Sequence, residues 1–514
     1  MESHRQCETP LKVAIIGSGL AGLTTAFLLT SGNADAKQKI QVELLERSAT
    51  LGMDSESVTV EYGGQKRRID VPMRAFSRGF YPELVKLYRH LHIPFAPMSF
   101  SFSFGASPAS KTRQQGPLPS ILYSGLTTRR AFRLQLPGKT FLQYIYYIFK
   151  ILWSYLILNV VAWYHVKSGH TRDPKHRISK ITFGEWCDSS LVYHSFFVEL
   201  LLPMLCSIMT ADCATVRSIP AAEMLNYLVA TLFYRHFTVK GGVSQVVAAL
   251  SANMKADHIH LNMVVKDMIP ITEGDKTGIE LVCENKKTGM ESHLHYDHII
   301  FASQAPQTAA MLRQLCGHLD RDVSRSYLEH CEEQINQLSK LRYEQSTVVC
   351  HTDVSILAPE KEAWRDLNFI RPIHTANDDP TYTMATHVIY QTPDSVFMQT
   401  TNPLPWLFPH ENTWVSKSDF ERFVLTLSGR EARRSFFDFE VANGKYTMHP
   451  KLGILQGLDS KCLWDMKMPS IWFCGSWSYG VPLLEGCVTS ARLVATDILR
   501  KADLSTKHIE EVWQ

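Results

Sequence analysis

Gly17, Gly19 and Gly22 stand at GxGxxG spacing in KVAIIGSGLAG, Lys12 to Gly22. The chemistry served by that spacing is pyrophosphate binding. The first glycine permits a tight turn, the second lets a phosphate approach the backbone, and the third lets the next helix pack closely on the strand. The helix N-terminus then offers N–H groups and a partial positive charge. Glu46 follows Gly22 by 24 residues, close to the roughly 20 at which an acid meets the ribose hydroxyls of a dinucleotide.

These residues need a frame that holds them at one point. Val13 to Ile16 is a continuous apolar run, the pattern of a strand covered on both faces, and Leu20 to Leu29 is an apolar helix. After a polar insert, Gln41 to Glu46 alternates as a second strand. Strand, glycine turn, helix, strand and acid together read as a dinucleotide-binding unit rather than a bare glycine turn. A second element lies near the C-terminus. Ile471 to Gly475 (IWFCG) reads as a buried strand and SWSYGVPLLEG as a turn. Cys487 to Leu499 reads as a helix with Val488, Ala491, Ala495 and Ile498 on one face. The ribityl and pyrophosphate of a flavin need such an element. A nicotinamide-dependent reductase is disfavoured, because one complete GxGxxG is visible.

The 514 residues suffice for more than one core, and 45% hydrophobic with 20% charged residues is a globular composition. A net charge of +3 is too small to point to nucleic acid. The eleven cysteines form no CxxC pair and no His/Cys set at zinc spacing, which favours a reducing compartment and no structural metal. The polar start, MESHRQCETPLK, has no apolar core of a signal peptide.

Phe141 to Trp163 is the most apolar stretch, with Lys150 as its one charge, and is long enough to cross a bilayer. A single crossing would put the two cofactor elements on opposite sides of a membrane, yet both must meet on one flavin. Arg129, Arg130, Arg133 and Lys139 precede the stretch, and Lys167, Arg172, Lys175, Arg177 and Lys180 follow it. Such flanks suit an anionic lipid surface. The readings are a helix docked on a membrane, a core or substrate-channel helix, and a true span, in that order of preference. Elsewhere, Val58 to Tyr62 and Lys66 to Val71 read as a hairpin about Gly63-Gly64, and Phe80 to Leu91 as an amphipathic helix. Ser99 to Thr112 reads as loop or irregular strand, and Phe183 to Met209 and Ala221 to His236 as helical. Ile259 to Val265 and Tyr296 to Ser303 read as strands returning to the cofactor domain. The polar stretches near Asp320 and Thr375 read as surface loops.

With both glycine elements in view, the sequence resembles the flavin-containing amine oxidase and phytoene desaturase superfamily. Within it, the chain is most similar to predicted FAD-binding oxidoreductases associated with cyclopropane-fatty-acid-synthase-type methyltransferases. The resemblance rests on IIGSGLAGL, LLERSATLG, RAFSRGFYPELVKLYRHLHI, LLPMLCSIM, FTVKGGVSQVVAAL, CHTDVSILAPEKEAW and GSWSYGVPLLEGCVTSARLVA. Three departures stand out. The family's GGR after the acid strand is here Gly52-Met53-Asp54, so an arginine contact is missing. A Gly-Phe pair near the expected flavin face is here Pro72-Met73. The subgroup's His-Glu-Asp is here Leu483-Leu484-Glu485.

The resemblance implies an α/β fold: a Rossmann-like FAD-binding domain from residues 1–80, 235–305 and 465–505, and a discontinuous α+β substrate domain from 81–234 and 306–464. It implies a cofactor set of Gly17, Ser18, Gly19, Leu20, Ala21, Gly22, Glu46, Arg47, Val265, Gly475 and Glu485, with no metal. The flavin carries the redox chemistry, so no catalytic dyad is required. Lys240 in VKGG and His351, with Asp353, in CHTD are the weak catalytic candidates. A turn-forming role for the first and a satisfied structural role for the second are preferred. Cys474 and Cys487 read as small core residues. The expected activity is oxidation or desaturation of a hydrophobic small molecule, an acyl or isoprenoid chain, by hydride transfer to FAD, with oxygen or a quinone as acceptor. An amine substrate and a non-catalytic, membrane-associated flavin-binding protein are the alternatives. The expected location is the cytoplasmic side, membrane-associated through 141–163.

Overall fold

The computed structural model describes residues 10–32, 40–108, 117–124, 132–134, 140–231, 234–273, 276–320, 325–373, 383–392, 395–457 and 469–514. Of the basic residues flanking the apolar stretch, Arg129, Arg130 and Lys139 lie outside the described residues, as does the polar stretch around Thr375.

The chain enters one parallel sheet three times. Its strands are β1 (Leu11–Ile16), β2 (Ile40–Leu45), β3 (Ile259–His260), β4 (His298–Phe301) and β5 (Ser470–Phe473), in the order β3-β2-β1-β4-β5. Val13, Ala14, Ile15, Ile299 and Ile300 have no accessible surface, as expected of parallel strands covered on both faces. Ile16 is in register with Leu45 on one side and with Phe301 on the other, and Phe301 with Phe473. Gly17, Glu46, Ala302 and Cys474 therefore emerge together at the carboxyl edge of the sheet, where open α/β folds bind ligands.

Helices α1 (Leu20–Thr30) and α4 (Leu484–Lys501) serve that edge; α2 is Pro82–His90, and α3 (Phe141–Lys167) packs on helix Ala221–Thr231. α1 and α4 lie side by side, and α2 packs on α4. Helices Ala305–His318 and Arg325–Ser339 join the same core through Leu312, Leu315 and Tyr327. The stretch Ile259 to Val265, expected as one strand, is divided. Asn262 turns the chain at φ +57°, and Met263–Glu273 leaves to form an antiparallel sheet with Lys276–Asn285 and Glu291–Tyr296. The hairpin pairs Tyr62 with Gln65 across Gly63 and Gly64, both at positive φ, the two-residue turn that matches strand twist.

The second sheet has eight strands and reaches from Trp414–Val424 at one edge, through Arg342–His351 and Val396–Thr401, to Phe132–Leu134 at the other. Ser99 to Thr112 supplies one of them. Phe102–Pro108 runs parallel to Leu367–Ile373, with the rings of Phe102 and Phe104 6.0 and 5.0 Å from Phe369. Aromatic packing at alternate positions holds a segment whose serines and glycine read locally as loop. Phe183 to Met209 is helical in pieces: Phe183–Ser189, His194–Phe196, a wide turn at Phe197–Leu201, and Leu202–Met209.

A buried charge cluster ties these parts together. Glu223, on helix Ala221–Thr231, accepts from Arg430 Nε at 3.1 Å and Arg433 Nη2 at 2.6 Å. Arg430 also donates to the carbonyls of Ser179 and Thr171, and Arg433 to that of Gly480 beyond β5. With partners on every side, the three charges avoid the penalty of an unpaired buried ion, and they join the loop after α3 to the segment after β5.

Candidate cofactor site

The glycine turn follows β1. Gly17, at φ +104°, donates its N–H to the Leu45 carbonyl at 2.9 Å. A Cβ on Gly22 would stand 2.0 Å from the Gly17 carbonyl oxygen, so helix and turn can approach as they do only because Gly22 has none. Gly19 is different. Its backbone (φ −64°, ψ 179°) suits any residue, and a Cβ there would meet nothing within 4 Å. Space, not conformation, is what this glycine leaves free. α1 carries no side-chain cap and no acid in its first turn, so its N-terminus faces that space with its partial positive charge. Leu20 and Ala21 form the floor of the turn and are buried.

Glu46 is drawn to this turn. One carboxylate oxygen accepts from Ser18 N–H at 2.9 Å and from Ser18 Oγ at 2.6 Å, and the other from Ser48 N–H at 2.9 Å. Ser18 Oγ accepts in turn from Gly52 N–H at 2.7 Å. A carboxylate has about four acceptor positions, so one remains for a ribose hydroxyl. Arg47 lies exposed at the rim. Val265 sits at a register shift in a strand whose Met263 donates its N–H to the Glu46 carbonyl.

The second element closes over the first. Cys474 N–H donates to the Phe301 carbonyl at 2.9 Å, and Gly475 N–H to Ser490 Oγ on α4 at 3.0 Å. Ala21 N–H is directed at the thiol of Cys487, which burial pushes up to about 12. Glu485 does not join this set. Its two carboxylate oxygens accept from Glu83 and Leu84 N–H at 2.9 and 3.1 Å, so it caps α2 rather than facing the glycine turn. Burial, with Glu83 nearby, raises its carboxyl to about 8.

The segment after Glu46 carries Met53 and Asp54 where the resemblance implies an arginine contact. Asp54 pairs with Arg68 at 2.7 Å, and Met53, at φ +69°, occupies a backbone region that favours glycine. Sequence reasoning missed Arg74 and Arg422. Arg74 Nη2 donates to the Met53 carbonyl at 2.5 Å. Both guanidinium groups are buried, and Arg74 lies close enough for its charge to act on Arg422 and on the Cys487 thiol. Nε of Arg74, and Nε and Nη2 of Arg422, have no hydrogen-bond partner. Unpaired buried donors of this kind call for an acceptor from outside the chain. They fit a dinucleotide, as does the free space at Gly19.

The catalytic candidates lie elsewhere. Lys240 is exposed at a turn whose next residues, Gly241 and Gly242, both have positive φ; Val243 N–H there donates to Asp70 at 2.9 Å. His351 has no accessible surface. Its Nδ1 accepts from Asp353 N–H at 3.1 Å and its Nε2 meets Thr400 Oγ1 at 2.7 Å, so both ring nitrogens are engaged within the sheet. Burial pushes it down to about 4, which keeps it neutral. Cys350, the preceding residue, packs instead with Ile69 and Val71, which lead to Met73 and Arg74.

A family model for the NAD(P)-binding Rossmann-like domain matches residues 15–91. No curated protein matches the sequence. Among solved structures, cyclohexylamine oxidase from Brevibacterium oxydans is similar with a TM-score of 0.55, covering 96% of this chain and 100% of its own at 12% identity. A putrescine oxidase double mutant, redesigned in cofactor binding, reaches 0.54 over 96% and 100% at 12% identity. An oxidoreductase from Methanosarcina mazei reaches 0.52 over 95% and 100% at 12% identity. The protein thus has the amine-oxidase type of α/β fold, a Rossmann-like dinucleotide domain joined to a sheet-based second domain.

Two outcomes follow from this geometry. Gly22→Ala is expected to unfold or severely destabilise the protein in thermal melts, since backbone must move by more than an ångström. Gly19→Val is expected to purify without flavin and to melt as the cofactor-stripped wild type does; a yellow Gly19→Val protein would remove the site from this turn. Glu485, whose folded pKa lies above the ordinary value near 4.5, stabilises the fold fully below that value. Its contribution is lost as the pH rises to about 8. Denaturant melts across this window should show a falling stability whose slope flattens in Glu485→Gln; equal slopes would show that the carboxyl titrates normally.

Proposed function

We propose that the protein is an FAD-dependent oxidoreductase that oxidises or desaturates a hydrophobic small molecule. The observation that carries this reading is the meeting of two glycine turns and two helix N-termini at one sheet edge, with unpaired buried arginine donors on Arg74 and Arg422. The residues that would hold FAD are Gly17 to Gly22, Glu46 and Gly475, with Val265 beside the acid. The chemistry FAD supplies when bound is acceptance of a hydride from a carbon–hydrogen bond. The chain binds, orients and shields. Met73, near the expected flavin face, belongs to an apolar cluster with Phe100, Phe102, Phe104 and Phe369 that continues to Tyr144, Tyr147 and Ile148 of α3. That lining suits an acyl or isoprenoid chain, in keeping with the subgroup resemblance, and oxygen or a membrane quinone is the proposed acceptor. The amine oxidases among the structural neighbours favour an amine as the second substrate class.

The same proposal places α3 on an anionic membrane surface. The helix has 27 residues, and a narrow stripe of Ser154, Leu158 and Ala162 is buried. Leu142, Leu152 and Trp163 are 78, 62 and 53% exposed, and Tyr146, Phe149, Tyr155 and Leu156 share the open side. Trp and Tyr favour the headgroup level, and Lys167, Arg172, Lys175, Arg177 and Lys180 beyond the helix supply positive charge for anionic lipid.

The testing experiment is an absorption spectrum of the purified protein before and after anaerobic incubation with a lipid extract. A flavin spectrum that bleaches with the extract is expected. Bleaching by amines alone would shift the substrate class, and absence of flavin even after FAD is added would overturn the reading. In flotation assays the protein should rise with vesicles containing phosphatidylserine, and Leu142→Glu with Leu152→Glu should leave it at the bottom with its fold intact. Equal flotation of both proteins would remove the docking role from α3.

A further inference from the structure

We propose that Arg74 and Arg422, one from each domain, form a clamp on the pyrophosphate of the bound dinucleotide, replacing the arginine that the segment after Glu46 lacks. The inference rests on the FAD reading above and adds to it residues outside the glycine turn.

Arg74 follows the segment Asp70–Met73 and touches the Met53 carbonyl at 2.5 Å. Met53 adjoins Gly52, whose N–H binds Ser18 of the glycine turn at 2.7 Å. The charge of Arg74 also acts on Cys487, the thiol that Ala21 N–H of α1 addresses. These neighbours place the guanidinium beside the helix N-terminus that a pyrophosphate would meet. Asp70 and Asp54 offset part of its charge.

Arg422 comes from Trp414–Val424, the edge strand of the eight-stranded sheet. Phe420, on the same strand face, packs near Ile69 and Val71, so this face is turned toward the segment that carries Arg74. The acids near Arg422 in sequence and register are otherwise engaged. Glu421 accepts from Gln307 and Gln345 at 3.2 Å each, and Glu344 binds Arg342 and Thr215. The ring of Phe420 lies 4.5 Å from the guanidinium, and burial, with the like charge of Arg74 added to it, holds Arg422 down to about 10. Two neighbouring cations with three unpaired donor nitrogens between them are mutually repulsive until an anion bridges them. A pyrophosphate carries two negative charges and the acceptor oxygens that a guanidinium fork matches. The second domain thereby contributes to holding the cofactor.

ADP carries the pyrophosphate without the flavin, and riboflavin the flavin without the phosphate. Calorimetry of the full chain, stripped of cofactor, should show Arg74→Gln and Arg422→Gln each weakening ADP and FAD roughly tenfold to a hundredfold, with riboflavin unchanged. FAD should raise the melting temperature of the wild type more than that of either variant. Arg422→Met, which removes the buried charge outright, guards against misfolding of the glutamine variant and should show the same loss. Wild-type ADP affinity in the Arg422 variants, or a loss confined to riboflavin, would overturn the clamp while leaving the FAD reading in place. A wild type that binds neither ADP nor FAD would overturn that reading itself.

Discussion

The site depends on the approach of α1 to the turn that precedes it. The place where a Cβ of Gly22 would sit is 2.0 Å from the Gly17 carbonyl, and no rotamer or side-chain adjustment relieves a contact between backbone atoms. That approach sets where the N-terminus of α1 points. It also sets how close β4 can come, since a Cβ on Gly17 would meet the Ala302 carbonyl at 2.9 Å. The hydrogen bonds from Ser18 to Glu46 and from Gly52 N–H to Ser18 Oγ are then consequences of a turn already fixed.

The parallel sheet and its glycine turn were legible because their signals are local. Val13 to Ile16 is apolar without interruption, and the glycines stand at fixed offsets. The two-residue turn at Gly63-Gly64 was legible for the same reason. What stayed hidden was decided at a distance. Nothing near Glu485 in sequence shows that Glu83 and Leu84, some four hundred positions away, point their N–H groups at it. Arg74 and Arg422 carry no local signal, and only the fold brings them close enough for the charge of one to act on the other. Phe102–Pro108 became a strand because Leu367–Ile373 lies alongside it, a partner that no local pattern names.

The departures from the family pattern follow a common physical logic. A left-handed backbone position disfavours a side chain, yet Met53 adopts it at φ +69°, and its carbonyl becomes the acceptor for Arg74. Asp54, standing where an arginine is usual, is neutralised by Arg68 rather than left facing a phosphate. Asp54 is thus paired rather than left unmatched, and Arg74 brings positive charge to the segment beside the glycine turn.

Connectivity constrains α3 as strongly as its composition does. β1 and β2 precede it, β3 to β5 follow it, and all five share one sheet. A single crossing would separate strands that are hydrogen-bonded to one another, and no gain from burying apolar surface in lipid can offset dismantling that core. Ser154 reinforces the point: its hydroxyl accepts from Tyr193 N–H at 3.0 Å, a contact within the protein along the buried stripe of the helix. The helix can present its open side to a membrane only by lying along it. The apolar cluster that begins at Tyr144, Tyr147 and Ile148 of α3 continues inward to Met73.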